Sequence, residues 1–325
     1  MIQKRVLRAV ALTAVVGLGI ATRAVDPIQH PARLANVQAA IGGSSGTRTM
    51  DPPSRPASQN AEATPDLSGY PDAAVPHLLA WGQFHDIRSG PVNLRLDRIL
   101  VQPQSAENTR RSAGPILFYV EEGRIAFSVN GRVETVDQGS HTIVQPNRIY
   151  SMFNEGFQTA TLLSLRLAPS EGTLPLSDST VRAVPLYAPP DITPFVPNLS
   201  GESIASTIFE GEIDNVLPMV PLWGFIASVT WPPGTEFGDH AHSGPVGLSV
   251  TSGAIAVLGS TLEAGACVLI PAHAVHQVGI PADTDAPAEI LMAGVFEVGE
   301  KLVVPASSTT VEGALLPYSC GDEPL

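Results

Sequence analysis

Cysteine is almost absent. Cys267 and Cys320 are the only two in 325 residues, which excludes a disulfide-dense scaffold and a four-cysteine zinc site. Lysine is equally rare, with Lys4 and Lys301 against sixteen arginines. Positive charge is short overall: 18 Lys and Arg face 31 Asp and Glu, a formal net charge of −13. A surface of that sign repels phosphate backbones and disfavours sequence-general nucleic-acid binding. Long apolar runs are also missing, since none reaches the about 20 residues that a membrane-spanning helix needs. Charged residues make up only 15% of the chain, but hydrophobic ones reach 44%. That is enough for a sizeable core and excludes a wholly disordered protein. Pro (30) and Gly (29) are both frequent, which favours many turns over long helices. Histidine is sparse, with eight residues, yet four of them fall between His240 and His276.

The N-terminus carries Lys4, Arg5 and Arg8 ahead of a largely apolar run of fourteen residues, 9–22, with Ala21 and Ala24 near a cleavage point. This is the layout of a secretory signal peptide over 1–24. It predicts a secreted or periplasmic protein, with an N-terminal membrane anchor as the alternative. Cleavage would leave no stable membrane association and a mature chain with 14 basic and 31 acidic residues. Residues 25–75 are then read as a disordered linker, because Ser, Pro, Ala and Thr dominate without any periodicity.

From residue 92 the pattern becomes β. NLRLDRILV alternates polar and apolar residues, and PILFYVEEG, RIAFSVNG, SHTIVQP and TATLLSLRL follow, each bounded by Gly, Pro or Asn. Short strands at close spacing with turn signals predict an all-β sandwich or barrel. The organisation expected is a first barrel over 76–170, a Pro-rich connector over 171–215, a second barrel over 216–304 and a C-terminal tail over 305–325. The two barrels read as a weak repeat, FYVEEGRIAFSVNG against LSVTSGAIAVLGS. Cys267 falls within a strand and is read as a buried small residue, its pairing with Cys320 left open. Trp81, Trp223 and Trp231 are read as core or interface, and Asn198 opens a glycosylation sequon.

His240 and His242 are two apart, so on a strand they face the same side with backbones about 7 Å apart. His276 follows the strand ACVLI after a turn at Pro271. In an antiparallel barrel that strand returns beside the first, and three neutral imidazoles then converge as metal ligands. His273, in the turn, and Asp239, if a bulge turned it inward, are accessory candidates. By alternation Val246, Leu248 and Val250 line an apolar pocket; they serve equally as core.

The spacing of these residues resembles the cupin superfamily. Gly234 is followed by five residues, His240-Ala241-His242, three residues, Val246, six residues and Gly253. This matches the first cupin motif except that Val246 stands in place of its Glu. Gly265, five residues, Pro271, His276 and Ile280 match the second motif except at His273, which replaces a Gly, and Ile280, which replaces an Asn. In the first repeat, Arg110, Ser112, Ile116 and Ser151 fall where ligands would stand. The resemblance implies a bicupin, two tandem jelly-roll β-barrels, with a metal site only in the second.

It further implies a divalent transition metal (Fe or Mn, with Ni, Cu and Zn also open) held by His240, His242 and His276. Without the carboxylate, such a centre keeps a larger local charge and more open positions for an anionic substrate and dioxygen. The activity implied is that of a dioxygenase-like oxidoreductase on a small organic substrate. A non-catalytic small-molecule binder or a vestigial cupin is the alternative. An isomerase or epimerase-like barrel ranks below both, because no second acid/base pair accompanies the histidines. The partner is a small molecule, and the pairing of barrels in cupins implies a homodimer as a further option.

Overall fold

Strand residues that alternate can pair with any neighbour of matching length, so the partners are decided by packing. The computed structural model describes residues 63–169 apart from 88, 89 and 108, and residues 203–306 apart from 214–216, 218, 219, 282 and 283. It also describes residues 311–312 and 318–321. The signal peptide and most of the linker read from the sequence lie outside the described residues. Apart from one short 3-10 turn, Asp72–Ala74, the regular structure described is β.

The strands form two barrels, each made of two facing sheets. In the second barrel one sheet runs in the order His77–Phe84, Leu222–Trp231, Ala288–Glu297, Val246–Ser252, Cys267–Ile270. Its facing sheet runs Ser260–Glu263, Ala254–Val257, Ala274–Gly279, Glu236–His242, Val303–Pro305. In the first barrel the larger sheet runs Tyr318–Cys320, Ile204–Ile213, Val92–Val101, Ala160–Pro169, Ile116–Glu122, His141–Val144. Ser105–Ala106, Ile149–Asn154, Arg124–Val129 and Arg132–Asp137 face it, and Arg110–Arg111 pairs with Ile149–Asn154.

Two boundaries expected from the sequence are redrawn by strand exchange. His77–Phe84 precedes the first barrel in the chain but pairs with Leu222–Trp231 of the second. Ile204–Ile213, expected within the connector, pairs with Val92–Val101 of the first. The tail also contributes. Val311–Glu312 pairs in parallel with Ala274–Gly279, and Tyr318–Cys320 extends the first barrel's sheet. Cys320 and Cys267 form a disulfide, which ties that edge strand to the second barrel.

The exchange explains the hydrophobic patterns. One apolar cluster fills each barrel, and a third lies between them, with Leu94, Leu165 and Phe209 meeting Ile226, Leu269 and Val295. Strands of the two sheets that meet in this layer are thus covered on both faces, and ILMAGVF reads as a near-continuous apolar run rather than an alternation. Each exchanged strand docks a phenylalanine on a glycine. A Cβ at Gly224 would stand 2.3 Å from Phe84, and one at Gly247 would stand 2.3 Å from Phe209.

The first barrel keeps no histidine at the places equivalent to the second barrel's triad. Arg110 pairs with Tyr150 across its strands, as His240 pairs with His276 in the second barrel. Tyr150, and not Ser151, therefore takes the third place. Nearby, the fully buried Asp97 accepts hydrogen bonds from Arg95 (2.7 Å) and Thr207 (3.1 Å), with Arg166 at 3.7 Å.

Candidate metal centre

The strand Glu236–His242 begins after a turn in which the amide of Thr235 donates to Pro232 O (3.2 Å), with Gly234 at φ 72°. A positive φ there suits glycine, which lacks the Cβ that penalises the conformation. The strand carries a bulge between Phe237 and His240. Beyond it His240 lies directly opposite His276 on Ala274–Gly279. His242, two residues on, shares the face. The ring centroids are 4.1 Å apart for His240 and His276, 4.8 Å for His242 and His276, and 5.2 Å for His240 and His242. All three side chains are buried, and their nearest nitrogens lie within 4.8 Å of one another.

Hydrogen bonding orients the rings. The carbonyl of Gly238 is 2.8 Å from His240 Nδ1, and that of Ala274 is 3.0 Å from His276 Nδ1. A neutral imidazole that donates through Nδ1 to a carbonyl presents the lone pair of Nε2. Among the described residues His276 Nε2 and His242 Nδ1 have no hydrogen-bond partner, although both are buried. Burial pushes all three pKa values down. That of His240 falls to about 4, first through burial and then through the His276 charge, against the opposing effects of the Gly238 carbonyl and Asp239. His242 falls well below the ordinary range through burial and both neighbours, and His276 falls through burial. The three are therefore neutral at pH 7, the form in which imidazole binds metal.

The cavity in front of the triad is small, about 20 Å3, and its wall is mostly apolar: Val229, Trp231, Phe237, Leu248, Val278, Ile290 and Met292, with Tyr70 completing it. Of the three expected lining residues only Leu248 reaches it. Val246 and Val250 are buried in the surrounding core instead. Asp239 is not turned inward. It is exposed and accepts a hydrogen bond from Gln277 (2.7 Å), so it touches no imidazole. The bulge lies before His240 and leaves Asp239 on the solvent side; backbone carbonyls take the second-sphere role.

His273 is exposed and stands outside the ligand group. Its backbone is nevertheless informative. It adopts φ 62°, the left-handed conformation that suits the glycine of the cupin motif, and its amide donates to His242 O (2.7 Å). Among the described residues no carboxylate joins the three histidines.

Two site residues escape sequence reasoning. Phe237 is three residues before His240 and on a regular strand would face away from it. The bulge brings its ring onto His240, stacked at 3.6 Å. Tyr70 belongs to the segment read as linker, yet residues 63–75 pack on the second barrel. Asp66 bridges Lys301, the amide of Leu302 donates to Asp66 O (2.9 Å), and Leu67 packs on the core. The Tyr70 hydroxyl lies 3.4 Å from His242 Nε2 and donates to Met292 Sδ at 3.1 Å. No periodic signal in PDLSGYPDAA marks this docking; a lone Leu and Tyr among polar residues are its only trace.

No protein-family profile matches the chain, and no curated protein matches it in sequence. Solved structures do match. An oxalate decarboxylase from Lactobacillus farciminis, as its formate complex, is 13% identical with a TM-score of 0.41, over 70% of this chain and 88% of that one. A variant of the Bacillus subtilis oxalate decarboxylase is 13% identical with a TM-score of 0.42, over 70% and 79%. A variant salicylate 1,2-dioxygenase from Pseudoaminobacter salicylatoxidans is 14% identical with a TM-score of 0.34, over 62% and 70%. At these values the likeness extends to no reaction, substrate or ion. The tandem two-sheet barrels, with a buried His240–His242–His276 triad in the second alone, bear out the resemblance to bicupins that the motif spacing carries.

Proposed function

We propose that this chain is an exported protein whose second barrel binds a divalent transition metal through His240, His242 and His276 and serves as a dioxygenase-like oxidoreductase on a small organic substrate. One observation carries the metal: three buried, neutral imidazoles converge on an apolar cavity with His276 Nε2 and His242 Nδ1 unpartnered. Burying polar nitrogens without partners is costly, and an ion held by them would remove that cost. An all-imidazole set suits Fe and Mn, and also Ni, Cu or Zn. When bound, the ion would supply Lewis acidity and, for a redox-active metal, electron transfer to an oxygen-containing substrate.

The chain's own residues do the rest. The carbonyls of Gly238 and Ala274 hold the Nδ1 protons and aim two rings at the cavity. Trp231, Leu248 and Ile290 give it an apolar wall. Export is supported by the basic and apolar N-terminus and by the Cys267–Cys320 disulfide, a bond that persists in oxidising compartments. A second reading, a non-catalytic small-molecule binder, is favoured by the absence of an acid/base carboxylate from the residues lining the cavity.

Metal analysis of the purified protein tests the first claim. We expect one transition-metal ion per chain, with occupancy lost in His242→Ala. A metal-free wild type, or binding indifferent to His242→Ala, refutes it. Oxygen uptake by the metal-loaded protein, tried against phenolic and thiol acids, separates enzyme from binder.

A further inference from the structure

A cavity of about 20 Å3 has room for about one water molecule. No organic substrate fits it as it stands, so something must leave before one enters. Most of its wall belongs to strands within the barrel. Tyr70 does not: it comes from the segment 63–75, which lies outside the barrel's sheets.

The contacts of Tyr70 are those of a ligand. Its ring is 5.3 Å from that of Phe237, which in turn stacks on His240. Its hydroxyl meets His242 and Met292. The segment that carries it packs on the barrel through Leu67 and the fully buried Ala74, and makes few main-chain hydrogen bonds to it. Asp66 is exposed, and its carboxylate accepts from the amide of Ser68 (2.9 Å), which shapes the turn ahead of Gly69. The main-chain ties are one bridge, Asp66 to Lys301, and the Leu302-to-Asp66 hydrogen bond.

The geometry points to residues 63–75 as an autoinhibitory strap: the Tyr70 phenol occupies the binding site of the second barrel, and the ligand that displaces it is an uncharged aromatic alcohol. Two features give the ligand class. The site already accommodates a phenol, with a ring face on Phe237 and a hydroxyl at the imidazole edge. Among the described residues its lining also holds no Lys or Arg, so in the metal-free protein a carboxylate would be buried there without a charged partner. Occupancy is then a competition, because the apparent affinity for an outside ligand is reduced by the fraction of molecules whose strap is lifted. The inference deepens the metal-site reading by naming a ligand class. It rests on that reading only for turnover, so binding to the metal-free protein tests it alone.

The test is calorimetric titration of phenol, with benzoate as the charged control, into the chelator-treated full chain. Wild type, Tyr70→Ala, Asp66→Ala and Tyr70→Phe are compared. Tyr70→Ala removes the competitor, and Asp66→Ala loosens the strap without touching the cavity. Each is expected to bind phenol about tenfold more tightly than wild type, as a larger lifted fraction requires. Tyr70→Phe keeps the ring in place and is expected to stay within about threefold of wild type. Saturating phenol should speed hydrogen exchange at the wild-type amides of 66–70, and benzoate should bind none of the four. Should Tyr70→Ala fail to fold, Asp66→Ala and the exchange measurement decide. Phenol that binds Asp66→Ala no better than wild type, or that slows exchange in 66–70, makes Tyr70 a fixed wall of the site and overturns the proposal. Preferential binding of benzoate overturns the ligand class.

Discussion

Acidifying the metal-free protein should destabilise it well above the pH at which carboxylates titrate. The unfolded chain takes up a proton on each histidine near the ordinary value of 6.5, whereas folded His240 resists until about pH 4 and folded His242 resists further. Below pH 6.5 the unfolded state therefore binds more protons, and stability falls as pH falls. The stability conferred by the neutral rings is fully present above that value and lost below it. Between pH 7.5 and 5.5 each histidine that stays neutral in the fold costs about 1.4 kcal/mol. His240 and His242 together give about 3 kcal/mol, and His276, also depressed, adds to it in the same direction. That is a large share of the about 5–15 kcal/mol typical of a folded domain. Urea unfolding in chelator at pH 7.5, 6.5 and 5.5 reads the loss directly. Replacing His242 by Phe, which does not titrate, should flatten the dependence by about 1.4 kcal/mol. A midpoint unchanged over this range, or equal slopes for wild type and variant, would refute the account of the triad as buried and neutral.

Three further outcomes follow from the fold. Reducing Cys267–Cys320, or replacing Cys320 by Ser, opens a 53-residue loop and should cost about 4 kcal/mol, read by denaturant unfolding with and without reductant. Gly224→Ala and Gly247→Ala each drive a Cβ into a fully buried phenylalanine ring that packs between the barrels, and each should lose about 1–3 kcal/mol in the same assay. His273→Gly relieves a left-handed backbone at an exposed turn and should raise stability by up to about 1 kcal/mol, whereas His273→Ala should not. A metal content unchanged in His273→Gly would agree with its place outside the triad.

The ligand triad was legible because its determinants are local. Two histidines at i and i+2 share a strand face whatever the strand pairs with, and Pro271 sets the return that brings His276 back. The apolar character of Leu248 followed from the same alternation. The stacking of Phe237 on His240 was not legible, because a bulge shifts parity within one strand and leaves no mark in composition. Tyr70 was missed for a different reason: its segment carries too few apolar residues to announce a docked surface.

By itself, the sequence determined the all-β character, the duplication and the histidines that meet. A period of two records which side of a strand is buried, and turn glycines record where strands end. Tertiary structure alone decided the exchange of His77–Phe84 and Ile204–Ile213 between barrels, the Cys267–Cys320 bond and the placing of Tyr70 beside His242. Backbone hydrogen bonds are nearly the same for every residue, so a strand's pattern names its buried face but not its partner. Shape adds what the pattern omits: Phe84 fits over Gly224 of its partner strand, and Phe209 fits over Gly247 across the layer between the two barrels.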